Sequence, residues 1–155
     1  MVRKIFYIYI FLIPIAFIFQ FSGWMQEFDD VSSDEKFSHL INAEYQSIQK
    51  LLIHGITLDA NYLQKVDKYT VTDFPGMGGR EIVTVGRLEV GTIFRVKKVL
   101  KCNNCFLFSP ISILVEINTE GLEPDIPVEL YGLRIEDTDG RIILDPNFLV
   151  SMPKV

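Results

Sequence analysis

The alternation of hydrophobic and polar positions divides this chain into three stretches. Ile5 to Phe19 is fifteen consecutive residues without a charge, and the apolar run continues less purely through Gln20, Phe21, Ser22 and Gly23 to Trp24 and Met25. A bilayer-spanning helix needs about 20 mostly apolar residues, and Ile5 to Met25 supplies 21. Cleavage as a signal peptide is the competing reading. It fits less well, because a cut after Ser22 or Gly23 leaves Gln20 or the bulky Phe21 where a small residue is needed. Residues 1–25 are therefore expected to form a signal-anchor transmembrane helix, followed by a polar tether over 26–32. Arg3 and Lys4 precede the helix, and Glu27, Asp29, Asp30, Asp34 and Glu35 follow it. This asymmetry places the N-terminus in the cytoplasm and the remainder, 33–155, on the periplasmic or extracellular side of a single-pass inner-membrane protein.

The second stretch has a helical period. Ser32 and Glu35 have the spacing of a capping box. Phe37, Leu40, Ile41, Tyr45, Ile48, Leu51 and Leu52 then recur every three or four residues up to Gly55, predicting one amphipathic helix over 33–54. Residues 56–68 read either as a short helix carrying Tyr62, Leu63 and Val66, with Asp59 as its cap, or as a strand through Ile56 and Leu58, the helix being preferred.

From Tyr69 the period is two. Short β-rich runs are expected at Tyr69 to Thr72, Glu81 to Leu88, Thr92 to Lys101, Ile111 to Ile117, Pro127 to Tyr131, Leu133 to Glu136 and Arg141 to Leu144. The last two are joined by Asp137, Thr138, Asp139 and Gly140, a hairpin turn. The predicted class is α+β: transmembrane helix, amphipathic helix, then over 69–150 a small antiparallel β-barrel or sandwich of about six strands. An OB- or SH3-like barrel is one such form.

Composition and charge narrow the functions. The formal net charge of −5 becomes two units more negative once Arg3 and Lys4 are set aside, and an acidic body repels phosphate backbones, so no nucleic-acid partner is expected. Arg95, Lys97, Lys98 and Lys101 form the one basic cluster and read as a solvated strand face. Cys102 and Cys105 are the only cysteines. A Cys-x-x-Cys pair serves redox chemistry, half a zinc site or a disulfide. Only His39 and His54 remain as zinc ligands, about 22 Å apart along the expected helix. Redox pairs open helices, whereas this one ends a strand, and an exported domain favours a structural disulfide.

The loop Phe74, Pro75, Gly76, Met77, Gly78, Gly79, Arg80 leads into a strand rather than a helix N-terminus, so it is no phosphate cradle. As a long hairpin tip it is the first candidate for a binding loop. Asp137 to Gly140 lacks the third acidic ligand and distal Glu of a calcium loop. Glu116, Glu120, Glu123, Asp125 and Glu129 are scattered carboxylates with no assigned role. No catalytic, cofactor or metal site is assigned. The sequence predicts a membrane-anchored envelope protein, embedded through residues 5–25, whose exported domain binds another protein or supports an envelope complex. A tethered immunity or inhibitor protein ranks second, and a thiol redox protein using Cys102 and Cys105 third.

Overall fold

The computed structural model describes residues 27–59, 61, 65–105, 110–139 and 141–153. The expected transmembrane segment at residues 5–25 lies outside them, and no helix among the described residues is long and apolar enough to cross a membrane. What is described is all β.

Among the described residues eleven strands follow one another: β1 Phe28–Asp30, β2 Glu44–Ser47, β3 Leu51–Ile56, β4 Lys68–Thr72, β5 Ile82–Leu88, β6 Ile93–Cys102, β7 Ile111–Ile117, β8 Val128–Leu130, β9 Arg134–Glu136, β10 Ile142–Leu144 and β11 Leu149–Ser151. Nine form one sheet in the order β11-β2-β6-β7-β8-β4-β3-β5, with β1 also on β6; β9 and β10 make a separate hairpin. All pairings are antiparallel except β4 with β8, where Tyr69 lies opposite Val128 and Val71 opposite Leu130.

Alternation sends one set of side chains inward. Leu51 and Ile53 of β3, Tyr69 and Val71 of β4, Val128 and Leu130 of β8, Ile113 and Val115 of β7, and Phe94, Val96 and Val99 of β6 share one buried cluster. Phe37 and Leu40 from the turns before β2 join it, as do Leu133, Leu144 and Leu149 from the C-terminal part. Each such side chain contributes about 1.5–3 kcal/mol when fully withdrawn from water, so this cluster is the main stabilising element.

Strand β6 is the long spine. One of its edges pairs with β7, while the other takes β2 at Ile93 to Arg95 and β1 at Leu100 to Cys102. A register shift between Val96 and Lys98 adds one residue, so Val99 takes the inward place and Leu100 turns out. Such a bulge re-aims every side chain beyond it.

The predicted class is corrected on three counts. The amphipathic helix over 33–54 does not form: hydrogen-bonded turns occupy residues 31–42, followed by β2 and β3. Asn42, at φ 59°, ends those turns in the left-handed region. Ser32 caps no helix; its hydroxyl oxygen accepts the Val99 N–H at 3.0 Å. Gly55 stops nothing either. It sits within β3 because a Cβ there would meet Thr84 Cγ2 at 2.5 Å and Val66 Cγ2 at 2.8 Å. The second correction is that the sheet is neither a closed barrel nor purely antiparallel: its path ends at β11 and β5. The third concerns residues 56–68, where Ile56 belongs to β3 and Lys68 opens β4, while Tyr62 and Leu63 lie outside the described residues.

Candidate functional site: a groove on the outer face of the sheet

Side chains of paired residues share a face, so the register defines the outer surface. Val85, His54, Thr70, Glu129, Leu114 and Lys98 form one row across β5, β3, β4, β8, β7 and β6. Beside it lie Ile56 with Lys68, and Leu100 with Ser112. Part of this surface, from Thr70, Glu129 and Leu114 to the Ile56–Lys68 and Leu100–Ser112 pairs, encloses a groove of about 470 Å³, lined mainly by Ile56, Leu58, Leu100, Ile111 and Leu114, with Phe28, Met77, Cys105 and Tyr131 also contributing. That volume is within the range of small-molecule sites. Polar groups sit at the floor and rim. Lys68 Nζ donates to Glu129 Oε2 at 3.0 Å, and the Thr70 hydroxyl is buried with no hydrogen-bond partner among the described residues.

Leu58 is 71% exposed and Phe28 45%. Leu58 is held in place by its backbone: its N–H donates to Asp67 Oδ2 at 2.8 Å, and the Thr57 hydroxyl donates to the same oxygen at 3.3 Å. The Leu58 N–H is the main reason the Asp67 carboxyl is held below the usual carboxylate range, with the Lys65 ammonium adding to it.

The loop between β4 and β5 forms one wall, and it divides the predicted binding loop in two. Phe74, Gly78, Gly79 and Arg80 are exposed, as expected of a tip. Gly76 instead lies on β3: at φ +86°, a Cβ would come within 2.7 Å of Leu52 Cδ1 and 3.0 Å of His54 Nε2. Met77 turns into the groove.

Beneath the loop, His54 is 1% exposed and belongs to β3, which corrects its expected place along a helix. The Met77 N–H points to His54 Nε2 at 3.4 Å, and Thr72 Oγ1 lies 3.2 Å from the same nitrogen. A backbone N–H can only donate, so Nε2 is the acceptor and the proton resides on Nδ1, which is buried without a partner. Burial holds the His54 pKa below its ordinary value. His39 is elsewhere, with its Nε2 3.1 Å from the Ile142 carbonyl oxygen.

Cys102 and Cys105 are joined in a disulfide, their Cα atoms 5.7 Å apart. The intervening turn grips the start of the described chain. Asn103 N–H donates to the Glu27 carbonyl at 2.9 Å, Asn103 Nδ2 to Asp29 Oδ2 at 2.8 Å, and the Glu27 N–H to Asn104 Oδ1 at 3.0 Å.

The other predicted positions are dispersed. Arg95 pairs with Glu44, Lys97 with Glu116 at 3.0 Å and Lys98 with Asp30 at 3.8 Å, so acidic neighbours answer most of the basic cluster. Glu116, Glu123 and Asp125 border a separate hollow of about 480 Å³ under the 118–127 loop, whereas Glu129 faces the groove. The Asp137 carboxylate accepts the Asp139 and Arg141 N–H groups at 2.9 Å each, which makes the turn a hairpin cap. Among the described residues, no three His, Cys, Asp or Glu side chains are placed to hold a metal ion.

Sequence reasoning missed the groove itself. Its signal was present: Ile113, Leu114 and Val115 are consecutive, as are Val99 and Leu100, and unbroken apolar runs in strands mean that both faces are apolar. No family model, curated protein or solved structure matches this chain.

Proposed function

We propose that this chain is a membrane-tethered binding protein. Residues 5–25 hold it in a bilayer with the N-terminus cytoplasmic, and the all-β domain on the opposite side engages another protein. The observation that carries the binding half is the free edge of β5. Among the described residues this seven-residue strand pairs only with β3 and ends the sheet, and it presents Val85 at 57% exposure with Phe74 exposed in the preceding loop. Such an edge is a template for a strand from another protein. A charged Arg87 and the bulge near Ile82 keep it from being a flat, wholly apolar edge. The Cys102–Cys105 disulfide supports the export half, since disulfides persist in oxidising compartments.

A photoreactive amino acid in place of Arg87 tests this in intact membranes. It should give one discrete adduct with another protein, and Val85→Lys should reduce that adduct about tenfold, the effect of a 1.4 kcal/mol defect. Adducts that are absent, or that survive Val85→Lys unchanged, refute the reading.

A further inference from the structure

We propose that the groove on the outer face takes an acyl chain of a lipid from the bilayer that holds the protein. The proposal rests on the tether reading above and goes beyond its protein-binding half.

Three observations lead to it. The first is the groove's position. Phe28, in its wall, is three residues beyond Met25, so at most about 11 Å of extended chain separates the groove from the end of the apolar segment. From Glu27 onward the chain is fixed to the domain, because Glu27 and Asp29 are bound to the Asn103–Asn104 turn and β1 is laddered to β6. The groove is therefore carried at the height of the lipid headgroups.

The second is chemistry. Ile56, Leu58, Leu100 and Leu114 form an apolar trough, and the Lys68–Glu129 pair at its rim is neutral overall. A hydrocarbon chain matches such a trough, and leaving Phe28 and Leu58 facing water would be unfavourable by the ordinary cost of exposed apolar area.

The third distinguishes lipid from peptide. The floor is built on β4, β8 and β7, each paired on both sides, so no row of unpaired backbone groups is offered there. An extended peptide would forgo the ladder that gives such binding its affinity, whereas an acyl chain needs none. The sheet's two ends, β11 and β5, place no residue in the lining of the trough.

The test is photolabelling of the full chain in phosphatidylcholine vesicles whose lipid carries a photoactivatable diazirine in its acyl chain, with adducts mapped by mass spectrometry. The expected result is label in residues 5–25 and also in the peptides holding Leu58, Met77 and Leu114. Leu58→Asp, at an exposed position that leaves the core untouched, and Leu114→Arg should each lower the groove label about tenfold without changing the label in 5–25. Label confined to 5–25 overturns the groove and leaves the tether standing. Label in neither place overturns the tether, and the groove proposal with it. Groove label that both variants leave intact is non-specific and also overturns it. So does an adduct between two copies of the chain, formed from a photoreactive amino acid in place of Leu58.

Discussion

His54 illustrates how much one side chain can decide. Its neutral ring accepts the Met77 N–H, so a proton added at Nε2 would set two donors against each other in a buried site. The groups facing it are Thr72, Thr70, Val85 and the Gly76–Met77 backbone, none of which carries a charge to offset the proton. With the folded-state pKa below the ordinary 6.5, the unfolded chain binds this proton more readily than the folded one. Stability from this group is therefore complete above about pH 6.5 and falls as the pH drops below it, levelling off beneath the folded-state pKa. Urea midpoints measured between pH 7.5 and 5, as marks of scale, should show that decline. His54→Gln should remove the pH dependence and cost about 1–3 kcal/mol where polar partners are left unmatched.

Among the elements, the strands after Tyr69 were legible because they are short β-rich runs set between turns of Gly, Pro, Asn and Asp. Each run predicted from Tyr69 to Leu144 overlaps an observed strand. The region before Tyr69 misled for physical reasons. Leu51–Ile56 is buried on both faces, inner side chains in the core and Leu52 and His54 under the 73–81 loop, so it carries no period of two. The turn at residues 48–50 contains neither Gly nor Pro, and the stripe from Phe37 to Leu52 fits helical spacing by running across turns and two strands. Strand β1, with two Asp in three residues, exists because β6 and the disulfide turn hold it. The groove was hidden for another reason, since bringing Leu100 and Leu114 to one surface depends on a bulge and a strand order that spacing does not encode. Cys102→Ser with Cys105→Ser should loosen β1 first. The closed loop is tiny, so the global cost is about 2 kcal/mol by loop entropy, but amide exchange at Phe28 to Asp30 should rise well before exchange in β7. Equal acceleration throughout the sheet would contradict a local clamp.

For the whole molecule, one inward face unites residues from Phe37 to Leu149, and its largest fully buried side chain is Phe94. Phe94→Ala should cost about 3–5 kcal/mol and broaden or abolish the unfolding transition, as measured by chemical denaturation. The sheet is completed late in the chain. Strand β2 has β6 on one side and on the other only β11, whose Leu149 pairs with Ser47, Val150 with Gln46 and Ser151 with Tyr45; Met152 N–H adds a bond to the Glu44 carbonyl at 2.8 Å. These partners are separated by about a hundred residues of sequence, a distance at which chain closure is slow. A ribosome has therefore added about a hundred residues after β2 before that strand gains its second neighbour. The domain must pass that interval of its synthesis, and any transit through a translocation channel, without its final fold, with the edge of β2 near Tyr45 left open to chaperones until β11 emerges.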